Sequence, residues 1–383
     1  MINPIRVYLD SSDFSNLSCP SKKNTNSAQA FRAKLREWVE HGDIEIRYSM
    51  AHIMEAVPMD PDTIEQGRLR LDCIRELCRE KVFVDPISLV TQELSGNHNI
   101  SLVNDNGHWF PGMAALWTDE IVEEIVDESD PAADFPKNRL QRRIEKSKAR
   151  KIAAKMKGEL QEFIKEYPIK KASAISMFSR QRSGQAVAIA LQSSVSDLNF
   201  LCDWYIENWN RSTEYSKAVR GAGKELSSLL TSASNEIKAL HQDLVSRGTS
   251  SSEAQKQLMA HAKEIAGKAP QQMINSLSNG RLSAELMAVA SLKTTPSMYV
   301  FSALLAQIFL SSVVAVRNTR KARSSDLGDL VHSMYIPYVD VFRADLATAS
   351  ALHNAKLDVE TKIVTSLEQL MVELESLIAL RKS

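Results

Sequence analysis

Four acidic residues near the end of the chain have the types and spacing that metal chemistry uses: Asp326, Asp329, Asp340 and Asp345, in SDLGDLVHSMYIPYVDVFRAD (residues 325–345). Asp326 and Asp329 lie one turn apart and share a helix face. Asp345 follows an apolar strand closely, and Asp340 alternates with Val339 and Val341 inside that strand. At the other end of the chain, IRVYLDSSDFSNL places Asp10 directly after another apolar strand, and SMAHIMEAVP carries Glu55 in the helical turn after the strand IEIRYS. In open α/β sheets, ligands bind outside the carboxyl ends of the strands. Carboxylates gathered there repel one another, and Mg²⁺ or Mn²⁺, which prefer hard oxygen donors, would offset that cost. One or two such ions activate a water and stabilise charge on a scissile phosphate. Each acid taken singly has a structural explanation: a strand-end cap for Asp10, an ordinary helix position for Glu55, a helix start after Ser325 for Asp326. The combination is what points to chemistry.

The elements that must position these acids are legible in the pattern of apolar residues. Residues 5–9 (IRVYL), 44–49 (IEIRYS) and 81–85 (KVFVD) read as strands. Helices are expected at 11–17, 28–41, 50–57 and 62–80, with Gly42 and Pro58 as stops. Strand–helix alternation is the pattern of a parallel α/β sheet. It returns at the end of the chain with strands at 338–342 (YVDVF) and 361–365 (TKIVT) and a terminal amphipathic helix at 367–381. After a loop at 97–112 and the charged segments 119–130 and 137–157, the sequence to about 290 is helical with almost no strand signal. The expected organisation is one α/β domain split in sequence, residues 1–95 and 296–383, interrupted by an all-helical insertion, 96–295.

Composition narrows the class. Of 383 residues, 44% are hydrophobic and 25% charged, enough to bury a sizeable core, and the formal net charge is zero, so any nucleic-acid-binding surface must be local. Cys19, Cys73, Cys78 and Cys202 have no CxxC spacing and read as reduced, mostly buried thiols of a cytoplasmic protein. The N-terminus lacks the basic and apolar regions of a signal peptide. Residues 299–316 (YVFSALLAQIFLSSVVAV) are about long enough to span a bilayer, but they carry Ser302, Gln307, Ser311 and Ser312 and are expected to be a buried central helix. No P-loop, GxGxxG, GxSxG or HExxH motif occurs, which disfavours NTPases, Rossmann enzymes, α/β-hydrolases and zincins.

Other residues are candidates for substrate contact. Arg317, Arg320, Lys321 and Arg323 directly precede the C-terminal acids and are placed to guide phosphate. Ser11 could bond phosphate or Asp10. His332, one turn after Asp329, and His52, three residues before Glu55, could each orient a carboxylate or be satisfied structural histidines. The basic run 137–157 could hold a nucleic-acid backbone or pair with the acidic segment 119–130. Trp204, Tyr205 and Trp209 could stack bases but read better as a helical core.

The order YLDSSDFSNL, SMAHIMEAVP, SDLGDLVHSMYIPYVDVFRAD resembles PIN-like nucleases, in particular a large bacterial subgroup with helical insertions. The resemblance covers roughly 1–95 and 296–383. It implies a three-layer α/β fold with a mainly parallel central sheet, and a Mg²⁺- or Mn²⁺-dependent site. Asp10 would be the first acid, Glu55 the second, Asp326 or Asp329 the third and Asp345 the fourth. It further implies hydrolysis of phosphodiesters, more in RNA than in DNA, and a toxin or anti-phage role. The insertion would restrict access, bind a protein partner or mediate self-association. Ala344 departs from the pattern, standing where a small polar residue is usual. The alternative is a non-catalytic scaffold of the same fold that binds nucleic acid or a protein.

Overall fold

The computed structural model describes residues 3–19, 25–58, 60–95, 160–179, 184–277, 293–314 and 320–382. A four-stranded, all-parallel sheet forms its centre: β1 (Ile5–Tyr8), β2 (Ile44–Arg47), β3 (Val341–Arg343) and β4 (Lys362–Val364), in the spatial order β2-β1-β3-β4. The register pairs Val7 with Ile46 on one side and with Val341 on the other. The segment expected as a third strand, 81–85, is reduced to a single parallel bridge, Val82 to Tyr48, on the outer side of β2. Pro86 opens the next helix at once and cuts the extended run short.

Alternation along the strands sends side chains to opposite faces, and helices cover both. Ile5, Val7, Ile44, Ile46 and Val341 face one buried cluster. There they meet α1 (Ser11–Ser18), α2 (Thr25–His41), α4 (Ile64–Cys78) and the terminal helix α14 (Leu367–Lys382). Tyr8 and Phe342 face the other cluster with α5 (Pro86–Leu94), α11 (Pro296–Phe309), α12 (Asp326–Ser333) and α13 (Leu346–Ala355). Such a doubly covered parallel sheet needs near-continuous apolar strands, and β1 and β3 supply them. Gly42 ends α2 at φ 75°, a conformation that favours glycine, and turns the chain into β2.

The remaining helices are α3 (Met50–Ala56), α6 (Lys171–Ser179), α7 (Gly184–Val195), α8 (Leu198–Glu207) and the long pair α9 (Trp209–Ser246) and α10 (Ser251–Leu277). Residues from α6, α7 and α8 join the first cluster, and Leu230 of α9 and Ala262 of α10 join the second. Trp204 and Tyr205 are buried in the first cluster, with the Trp204 indole N–H donating to the Ile164 carbonyl (2.8 Å). The basic run 137–157, the acidic segment 119–130 and Arg317 lie outside the described residues. All four cysteines are unpaired, three of them buried. The segment Pro296–Val314, α11 with a π-turn after it, is long and apolar enough to cross a membrane; 56% of it is buried, and it packs against α10 and α13.

The last strands differ from expectation in register. Residues Ile336–Tyr338 form a 3₁₀ turn around Pro337, so β3 begins only at Val341. Asp340 therefore lies before the strand, at the amino end of the sheet. It accepts the Arg6 backbone N–H (2.7 Å) and ion-pairs with Arg6 and Arg381. It stands at the opposite end of the sheet from the other acids.

Candidate functional site

The chain leaves β1 toward β2 on one side, while β3 pairs on the other. In open α/β sheets ligands bind at such a topological switch, outside the carboxyl ends of the strands, here β1 and β3. Asp10 follows β1, Asp345 follows β3, Glu55 comes from α3 after β2, and α12 carries Asp326, Asp329 and His332. Residues more than 270 positions apart thus meet at one edge.

Each acid has a distinct environment. Asp10 caps α1, and its Oδ2 takes the Ser12 N–H (3.4 Å), the Ser12 hydroxyl and Arg343 Nη1 (3.2 Å). Asp345 caps α13, accepting the Thr348 N–H (2.6 Å). Glu55 Oε2 stands 3.4 Å from His332 Nε2. Burial disfavours its charge, but His332, with help from Ser11 and His52, outweighs that and holds the carboxyl down at about 2. Gly328 makes this approach possible, because a Cβ there would lie 2.5 Å from Glu55 Oε1.

Asp326 and Asp329 separate clearly. Asp326 is fully buried and bidentate to Arg320 (2.6 and 2.8 Å), and it also accepts the Arg323 backbone N–H (3.0 Å). A planar guanidinium fork matched to a carboxylate leaves that side chain committed. Asp329 is half-buried and accepts no hydrogen bond from any described residue. Burial, then the neighbouring charges of Asp345 and Asp10, push its carboxyl up to about 7 against the opposing pull of His332. Lys321 and Arg323 are exposed beside this edge. The long helix α9 steadies the segment that carries them. Ser227 donates to the Ala322 carbonyl (3.1 Å), and Gly223 sits so close that a Cβ would be 2.2 Å from the Ser324 carbonyl oxygen.

Two histidines divide the roles expected of either. His52 is buried between strand ends: the Ser49 N–H donates to its Nδ1 (2.9 Å), and its Nε2–H donates to the Leu9 carbonyl (2.8 Å). Burial, then His332 nearby, lowers its pKa to about 3, so it is a neutral structural tie. His332 contacts the Tyr8 hydroxyl through Nδ1 (2.6 Å) and both Ser11 Oγ (3.3 Å) and Glu55 through Nε2. Burial opposes its charge, but Glu55, with Asp10 and Asp329, outweighs burial and raises its pKa.

Compared with protein-family models, curated proteins and solved structures, the chain matches none. Function must therefore be argued from this edge. Among the described residues, no group of three or more His, Cys, Asp or Glu side chains is placed to hold a metal ion. Asp10, Glu55 and Asp345 each contact a protein donor, and Asp326 is paired with Arg320. The donors are nonetheless hard carboxylate oxygens that suit Mg²⁺ or Mn²⁺. Sequence reasoning missed Arg343 and Asp13. Arg343 reads as one more strand residue and Asp13 as a first-turn helix acid; the capping box of α1 joins Asp13 to Asp10 locally, and only the fold brings Arg343 against both. A cleft of about 850 Å³, lined in part by Arg6, Asp340, Lys362 and Arg381, lies at the amino end of the sheet, away from the other acids.

Proposed function

We propose that the protein is a Mg²⁺- or Mn²⁺-dependent nuclease of PIN-like type, with Asp10, Glu55, Asp329 and Asp345 as its acidic centre. The observation that carries this reading is Asp329: a half-buried carboxylate with no hydrogen-bond donor among the described residues, facing the charges of Asp345 and Asp10. A structural carboxylate would be paired; this one is left for a cation. The reading takes Asp326 out of the ligand set and makes it the anchor of Arg320. A bound divalent ion would supply a water nucleophile and charge stabilisation at phosphorus. The chain's own part is to hold four carboxylates at the switch point and to orient Glu55 through His332 and Ser11. Exposed Lys321 and Arg323 would draw the phosphate backbone to this edge. RNA is the favoured substrate on the family resemblance, and a toxin or anti-phage role follows from the same source; a cytoplasmic location rests on the unpaired cysteines.

A second reading has an observation of its own. Arg343, Arg320 and His332 already neutralise much of the acidic edge, as a non-catalytic scaffold binding nucleic acid or a protein would permit. Labelled RNA and DNA incubated with Mn²⁺ separate the two. The nuclease reading predicts cleavage by wild type, abolished by EDTA and by Asp10→Asn. Inert wild type, or equal cleavage by both proteins, favours the scaffold.

A further inference from the structure

Arg343, the last residue of β3, is only 11% exposed in its side chain and lies within the acidic edge. Its Nη1 is 3.2 Å from Asp10 Oδ2 and 3.3 Å from Ser12 Oγ, and its Nε is 3.0 Å from Oδ1 of Asp13. Asp13 is fully buried, and its other oxygen takes the Asp10 backbone N–H (2.9 Å). The Nε–Oδ1 pair is close but misaligned, so neither atom makes a hydrogen bond. Ser12 and Arg343 both contact the Asp10 carboxylate through Oδ2.

We infer that Arg343 is a resident counter-cation that competes with a divalent ion for Asp10, so that metal loading requires the guanidinium to give way. This regulation of the site rests on the metal-dependent reading above. The argument is electrostatic. Without an ion, Asp10 and the buried Asp13 need a positive partner, and Arg343 is the cation that contacts both. When an ion approaches Asp10, a positive charge already bonded to Oδ2 repels it. Even at an effective dielectric near that of a protein surface, a unit charge a few ångströms from a divalent ion weakens binding by about tenfold or more. The misaligned Nε contact marks an ion pair without the full directional bonding of a bidentate clamp, unlike Arg320 on Asp326. Asp13 keeps its hold on the Asp10 backbone whichever way Arg343 points, so α1 stays capped when the guanidinium moves.

The test is Mn²⁺ affinity of the full chain, measured without nucleic acid on metal-stripped wild type, Arg343→Lys and Arg343→Gln. Gln removes the competing charge and keeps a polar group, so it is expected to bind Mn²⁺ about tenfold or more tightly than wild type. Lys keeps the charge but cannot fork onto two carboxylates, so it falls between the two. It also serves as the folded variant should Gln destabilise the metal-free chain, with near-UV circular dichroism checking the fold. Folded variants that bind Mn²⁺ no more tightly than wild type overturn the inference. If wild type binds and cleaves while the three affinities coincide, only the role of Arg343 falls. If none of the three binds Mn²⁺, the metal reading falls and takes this inference with it.

Discussion

At the scale of single residues, position in the sequence and fate in the fold diverge most for Asp326 and Asp329. One turn apart, they are equivalent candidates until the fold places Arg320 against only one of them. Their substitutions should then act with opposite signs. Asp326→Asn breaks a buried bidentate ion pair and leaves Arg320 without its partner, a loss of about 3 kcal/mol in stability. Asp329→Asn removes a carboxylate crowded by Asp345 and Asp10, so thermal stability holds or rises while Mn²⁺-dependent cleavage is lost. Melting temperature and cleavage rate of the two variants check this; a destabilised Asp329→Asn would show that its carboxylate has a structural partner. The positions of Asp10 and Asp345 were legible in the sequence because a strand end followed by an acid is a local pattern, and Glu55 was read as lying in the helix after the second strand. Arg343 was not, because its meaning depends on a carboxylate 333 residues away.

Elements set how closely those residues approach. The helix α12 meets α3 across Gly328, where a methyl group would displace the Glu55 carboxylate and not the backbone. Gly328→Ala should therefore leave stability within about 1 kcal/mol, since alanine favours the helix, yet lower cleavage by about tenfold or more through a misplaced carboxylate. Unchanged cleavage would remove Glu55 from the active arrangement. A second junction joins α5, α11 and the 3₁₀ turn at Ile336–Tyr338. Glu93 of α5 is 5% exposed and takes the Ser297 N–H (2.8 Å), the Ser297 hydroxyl (2.7 Å) and the Tyr338 hydroxyl. Burial raises its pKa even against these donors. A carboxyl raised in the folded state contributes stability that is complete below the unfolded value, about 4.3, and is lost as pH rises through the raised value. Glu93→Gln should thus gain stability over wild type at pH 8 and lose that advantage near pH 4. An equal difference at both pH values would contradict the assignment. The strand KVFVD shows why elements were less legible than acids: its apolar residues are those of a strand, but it lies at the edge beyond β2 and Pro86 follows at once, leaving one bridge.

At the scale of the whole molecule, a small parallel sheet sits between two apolar clusters, and helices from the middle of the chain contribute to both. The parallel sheet was readable from strand–helix alternation at the two ends of the sequence. The docking of α9 beside the acid-bearing segment was not, because close packing at Gly223 and Ser227 has no local signature. With zero net charge, the molecule has no global attraction for nucleic acid, so the proposed function rests on the switch point between β1 and β3, where distant segments bring their carboxylates together. The most direct test is a crystal of the full chain soaked in Mn²⁺ and examined by anomalous scattering. The account predicts a peak at the carboxyl edge, coordinated by Asp329 with Asp10 or Asp345 and absent from Asp329→Asn. No peak at saturating Mn²⁺, or one only elsewhere on the molecule, would contradict it.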